Sequence, residues 1–151
     1  MLAHQDDSLD VLIEIPAWSF RKTSRRQRDA DGAPVFEQEF FSLLPCPFNY
    51  GVAPHVPSAD SEGQDVIVIG HRLRRGTRLS VRPRLRVVFV DQGLADDKLV
   101  ARADGHALRW LDLFTVKLFF VVYSLFKRLR YRLQGQSHAT TGTLRYETLY
   151  P

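Results

Sequence analysis

The chain has 151 residues, 44% of them hydrophobic and 25% charged, and a formal net charge of +4. Those values suit a single globular domain over 1–151 with its core at about 10–132, and exclude collagen-like, disulfide-rich and disordered classes. The one cysteine, Cys46, excludes an internal disulfide or a cysteine-based zinc site, and the arginine-weighted positive charge suits phosphate oxygens of a small ligand or a nucleic acid.

Val11 to Ile15 reads as a short strand of branched residues stopped by Pro16. Arg21 to Arg28 is a polar, basic segment, and Asp31-Gly32 marks a turn. Val35 to Leu44 reads as a strand pair or one bent strand. Pro45 to Gly63, rich in proline, glycine, serine and acids, reads as a long functional loop or a disordered linker. Val66 to Ile69 is a compact apolar run typical of a buried strand. Leu79 to Val90 continues in β style, Asp91-Gln92-Gly93 is a turn, and Lys98 to Ala101 reads as another strand.

From about Ala107 to Leu133 the period changes to three and four residues. Leu111, Phe114, Leu118, Val121, Val122, Leu125 and Leu129 trace one apolar stripe, which predicts a helix with that stripe in the core. The apolar run Leu118 to Phe126 is too short for a membrane span, which takes about 20 residues. Met1 to Asp10 has no basic stretch leading into an apolar run, so no signal peptide is expected and a cytoplasmic setting follows. After Leu133 the chain is polar, and the pattern gives no element there.

The acids are clustered. Asp60, Glu62 and Asp65 share the proline-rich loop and the start of the next strand, Asp91, Asp96 and Asp97 precede Lys98, and Glu14 ends the first strand. Carboxylates converging from loops make a hard oxygen site suited to Mg²⁺, with Mn²⁺ as a substitute. His55, His71, His106 and His138 follow no metal-ligand spacing.

Four segments occur in order: Ile13-Glu14-Ile15-Pro16 followed by Lys22, Pro47-Phe48-Asn49-Tyr50-Gly51, Asp60-x-Glu62-x-x-Asp65, and Asp91-x₄-Asp96-Asp97-Lys98. Together with Phe119-Phe120-x-x-Tyr123 they resemble family I soluble inorganic pyrophosphatase from about Asp10 to Lys127. The resemblance implies an α+β, mainly β fold: a small closed β-barrel of the oligonucleotide-binding (OB) type, with one long helix and further short helices outside. It implies that Asp60, Asp65 and Asp96 hold the tightest Mg²⁺, and that Asp91 and Glu14 hold further metals brought with substrate. Lys22, Tyr50, Lys98 and Tyr123 would contact the phosphates, with Glu62, Asp65 and Lys98 at the reacting atoms. The implied activity is Mg²⁺-dependent hydrolysis of pyrophosphate, or of another small phosphoanhydride, and the implied assembly is a homo-oligomer, a hexamer in bacterial members.

Four positions depart from the family pattern. Lys22 is followed by Thr23-Ser24 rather than Tyr-Glu, a phosphate-gripping arginine is Gln38, the lysine after the helical tyrosine is Ser124, and the general-base aspartate is Glu62. The loop proline beside Glu62 is Gly63. A methylene's misplacement of a base lowers rate by about 10²-fold, so slowed turnover is expected. Lys127, one helical turn after Tyr123, and Arg25 and Arg26 beside Ser24 are candidates to compensate. Two alternatives stand beside this reading: a catalytically weak or inactive relative that binds metal, phosphate compounds or a partner, and a nucleic-acid-binding module using Arg72 to Arg86, which lack interleaved aromatics.

Overall fold

The computed structural model describes residues 7–28, 34–41, 44–58, 63–136 and 140–149, with the backbone alone over 21–28 and 34–41. Strand β1 (Leu9–Ile15) is buried throughout from Val11 to Ile15, its apolar run broken only by Glu14, as in a strand covered on both faces. The basic segment is strand β2 (Arg21–Arg28), and it pairs antiparallel with β3 (Pro34–Phe41) in a separate two-stranded sheet. The turn read at Asp31-Gly32 lies outside the described residues.

The stretch read as one loop from Pro45 to Gly63 holds a strand, β4 (Asn49–Ala53), followed by β5 (Gln64–Ile69). The structure explains the missed strand. Asn49 is a poor strand former, but here its side chain is fully buried and saturated. Its carbonyl oxygen accepts from Ala17 N at 3.1 Å and Leu73 N at 2.9 Å, and its amide donates to Val68 O at 3.2 Å and His71 O at 2.9 Å. One side chain thereby ties the start of β4 to β5 and to two loops. Gly51 is required by close approach: a Cβ there would lie 2.5 Å from Leu12 O on the neighbouring strand.

The remaining elements are β6 (Arg78–Val81), β7 (Leu85–Asp91), the short β8 (Leu94–Ala95), β9 (Lys98–Arg102), helix α1 (Trp110–Leu133) and β10 (Gly142–Thr148). The main sheet runs β10-β7-β9-β5-β4-β1-β6, with β8 on β7. Its central five strands, β1, β4, β5, β9 and β7, carry the OB order 1-2-3-5-4, with β5 and β9 parallel. The barrel is not closed, contrary to the expectation. Closure would join β1 to β7, but β6 takes the free edge of β1, and β8 and β10 take that of β7. The polar stretch after Leu133 thus supplies an edge strand, whose Tyr146 packs against the core.

Strand β5 shows how the core is divided. Ile67 and Ile69 join a cluster with Phe48, Phe89, Val116 and Phe120, while Val66 and Val68 point the other way, to Val11, Ile13 and Ala101. The first cluster is capped by α1, the one helix among the described residues, where further short helices were expected.

The helix presents a different face from the one predicted. Val116, Phe119, Phe120 and Tyr123 pack on the sheet, and Leu118 and Leu125 of the predicted stripe are 51% and 59% exposed. The helix is apolar on two sides, so its period alone does not choose which side goes in. Aromatic packing does: Phe89 meets Phe120 at 5.7 Å and Tyr123 at 5.6 Å, and Phe48 meets Phe119 edge-on at 5.9 Å. Asp112 fixes the helix start, accepting from Arg109 N at 2.8 Å and from Arg102 Nη1 at 2.8 Å.

Candidate active site

The site is built on the parallel β5–β9 ladder, whose register sets Asp65 opposite Lys98. Asp96 lies two residues before Lys98 and is anchored through its own backbone N–H, which donates to Phe89 O at 2.9 Å. Lys98 Nζ donates to Asp65 Oδ2 at 2.6 Å and to Asp96 Oδ1 at 2.5 Å. The lysine is 4% exposed. Burial pulls its pKa down, but the two carboxylates outweigh that and hold the ammonium above its ordinary value. For Asp96 the balance falls the other way: burial raises its pKa despite the attraction of Lys98.

Two tyrosines wall this cluster. Tyr50, on β4, has Lys98 Nζ 5.7 Å from its ring centroid. Burial, then the charges of Asp65 and Asp96, push its hydroxyl well above the usual range. Tyr123 from α1 is raised chiefly by burial, with Asp96, Asp91 and Asp65 adding to it against Lys98. Both phenols therefore stay protonated and act as donors.

A cleft of about 210 Å³ opens beside the pair, lined by Ser58, Gly63, Gln64, Asp65, Arg86 and Asp96 among others. Ser58 and Gly63, which flank 59–62, both line it. Gly63 has φ +94°, a value closed to proline, so the residue that stands at the resemblance's loop proline takes a backbone path proline cannot follow. Asp97, beside Asp96, serves the scaffold: it accepts from Arg86 Nη2 at 2.5 Å and Phe89 N at 3.2 Å, while its backbone carbonyl accepts from Gln64 Nε2 at 2.7 Å.

Asp91, at the end of β7, is held by other groups. Lys127 of α1 is ion-paired to its Oδ2, and the Tyr131 hydroxyl reaches Oδ1 at 2.9 Å and Oδ2 at 3.1 Å. Thr141 Oγ1 donates to Oδ1 at 3.5 Å. The same ammonium lies 5.1 Å from the Tyr123 ring centroid, so the Asp91 network borders the Asp65–Lys98–Asp96 cluster through Tyr123.

Of the residues singled out in the sequence, Tyr50, Asp65, Asp96, Lys98 and Tyr123 thus come together. Glu14 is buried on β1 beside the register shift between Ile13 and Ile15. Asp60, Glu62 and the Lys22 side chain lie outside the described residues. Gln64 on the cleft wall and Tyr131 on Asp91 went unremarked in the sequence, and Arg86, read there as part of a basic stretch, lines the cleft. The i, i+4 and i+8 spacing of Tyr123, Lys127 and Tyr131 was the available signal for the last.

The donor set can hold a divalent cation at Asp65 and Asp96. Their side chains are 14% and 29% exposed on the cleft side, and two carboxylates against one ammonium leave a net negative charge. Among the described residues no three His, Cys, Asp or Glu side chains converge, so these two are not by themselves a full cage.

A protein-family model described as "Inorganic pyrophosphatase" matches residues 11–125. The inorganic pyrophosphatase of Agrobacterium fabrum is 30% identical over 96 residues, 63% of this chain and 54% of that protein. That of Brucella melitensis is 30% identical over 104 residues, 68% and 58% of the two chains. The chain thus spans little more than half the length of these curated relatives. Among solved structures, an inorganic pyrophosphatase from Neisseria gonorrhoeae superposes with a TM-score of 0.73 at 23% identity, covering 98% of this chain and 88% of that one. The Thermus thermophilus inorganic pyrophosphatase gives 0.73 at 17% identity, over 97% and 86%. These two likenesses bear on the fold.

Proposed function

The chain belongs to the inorganic pyrophosphatase family, and we propose that it hydrolyses inorganic pyrophosphate to two phosphates with Mg²⁺, for which Mn²⁺ can substitute. The observation that carries this reading is the buried Lys98 bridging Asp65 and Asp96 on the wall of a cleft. Family membership implies dependence on divalent metal in general. We assign the tightest ion to Asp65 and Asp96, with Asp60 joining them. When bound, the cation supplies charge neutralisation and lowers the pKa of the attacking water.

The chain's own residues do the rest. Lys98 spends two of its three N–H donors on the carboxylates and has a third for a phosphate oxygen. Tyr50 and Tyr123, protonated at neutral pH, donate to phosphate oxygens from the two walls. Lys22 adds a cation, Glu62 accepts the proton of the attacking water, and Glu14 of β1 would hold a further metal. Oriented donors stabilise charge that grows on the phosphoryl oxygens at no cost of reorganisation.

A nucleic-acid-binding reading is not favoured: of the arginines that suggested it, Arg86 is ion-paired to Asp97 and Arg82 to Asp7. A homo-oligomer, hexameric as in the resemblance, is supported by the exposed apolar face of α1. Among the described residues no helix is long and apolar enough to cross a membrane, and we assign the chain to the cytoplasm. Phosphate release measured in parallel from pyrophosphate, tripolyphosphate and ATP tests the substrate. Release from pyrophosphate fastest by tenfold or more supports the reading, and a preference for either longer phosphoanhydride overturns the assignment of pyrophosphate.

A further inference from the structure

We propose that Lys127 is a resident cation for Asp91, so that Asp91 takes no divalent metal and the site binds one ion fewer than its carboxylates would allow. This rests on reading Asp65 and Asp96 as the metal-holding pair. The argument begins with satisfaction of the carboxylate. Asp91 Oδ2 is ion-paired to Lys127 and accepts from Tyr131 at 3.1 Å, while Oδ1 accepts from Tyr131 at 2.9 Å and Thr141 at 3.5 Å. Both oxygens are engaged without a metal.

The partners are also held in place. Lys127 and Asp91 have side chains only 19% and 20% exposed, and the ammonium rests 5.1 Å from the Tyr123 ring centroid, where the face of the ring favours a cation. Tyr131 stands one helical turn beyond Lys127 on the same face of α1, and Thr141 comes from the segment entering β10. The helix and the segment entering β10 therefore converge on one carboxylate. A divalent ion arriving at Asp91 would meet an ammonium already in contact with the oxygens it needs. The Asp65–Asp96 pair differs: two carboxylates share a single lysine and keep a net negative charge.

The consequence is a fixed ammonium, its charge balanced by Asp91, at the edge of the site nearest Tyr123 and in place before any ligand binds. It stands one turn along α1 from Ser124, where the family resemblance has a lysine. The charge is supplied by the chain instead of being brought in with substrate.

Counting bound Mn²⁺ by electron paramagnetic resonance on the full chain tests this without reference to turnover. Wild type and Asp91→Asn are expected to bind the same number of ions, Lys127→Met one more, and the double variant the wild-type number. Loss of one ion in Asp91→Asn overturns the proposal, as does Lys127→Met binding no more than wild type. Should Lys127→Met fail to fold, Asp91→Asn decides: an unchanged count supports the proposal and a lower one ends it. Failure of the underlying reading looks different, because Asp65→Asn would then retain every ion that wild type binds.

Discussion

Asp65 and Lys98 face each other across the parallel β5–β9 ladder with carboxylate and ammonium 2.6 Å apart, although 33 residues separate them in the chain. The register of two strands, which neither residue sets, creates the pair. It also brings Asp96 to the same ammonium, so Lys98 serves as the hub of the site.

Replacing that hub leaves two partly buried carboxylates facing each other. Lys98→Met is expected to lower pyrophosphate turnover by about 10²–10³-fold, the usual effect of losing one preorganised donor to a developing oxyanion. The metal-free variant should also melt below wild type, and Mg²⁺ should raise its melting temperature by more than it raises that of wild type. Calorimetry with and without Mg²⁺ checks the second expectation independently of activity.

Asn49 concentrates four hydrogen bonds in one buried side chain. Asn49→Ala removes four hydrogen bonds, two of them fully buried, and strands their backbone partners, for an expected loss of about 3–5 kcal/mol, given roughly 1–3 kcal/mol for a buried group left unpaired. Gly51→Ala is expected to destabilise as well, since its Cβ would collide with Leu12 O at 2.5 Å. Urea denaturation of both variants measures the effect, and stability within about 1 kcal/mol of wild type for Asn49→Ala would contradict it.

The start of α1 carries a pH signature. Burial acts to raise the pKa of Asp112, but its bonds from Arg109 and Arg102 win and hold it below the ordinary carboxylate value. A depressed folded-state pKa contributes stability that is complete above the unfolded carboxylate range. That stability is lost as pH falls through the folded value. Stability should therefore drop on acidification below about pH 4, and Asp112→Asn should be less stable at neutral pH with a shallower acid limb. Equal acid limbs in the two proteins would refute the assignment.

The exposed stripe of α1 predicts a change in assembly. Leu118→Glu and Leu125→Glu are expected to leave the helical circular dichroism intact and shift sedimentation toward smaller species. Unchanged sedimentation would remove this face as the self-association surface.

Much of the β architecture was legible because its chemistry is local. Val66 to Ile69 has a run of branched residues that only a buried strand accommodates, and Lys98 to Ala101 was read almost to its observed bounds. Strand β4 was hidden, because Asn49 and Gly51 act through Ala17, Val68, His71, Leu73 and Leu12, none of them near in sequence. The open edge of the barrel was equally hidden: it depends on β6 and β10 reaching β1 and β7 first, and β10 lies in a stretch whose polar composition gives no pattern. At the site, the resemblance carried by the four ordered segments, rather than the acids alone, pointed to Asp65, Asp96 and Lys98. The engagement of Asp91 by Lys127 and Tyr131 needed the helix orientation, and that is set by aromatic packing on the opposite side of the predicted stripe.

The most direct test of the account is phosphate release from pyrophosphate by the purified full chain, with Mg²⁺ and with chelator, beside Asp65→Asn. The account predicts release that requires the metal and that the substitution reduces by about 10²-fold or more, as expected for removal of charge stabilisation at the reacting phosphoryl group. Metal-independent release, or release equal in wild type and Asp65→Asn, would contradict it.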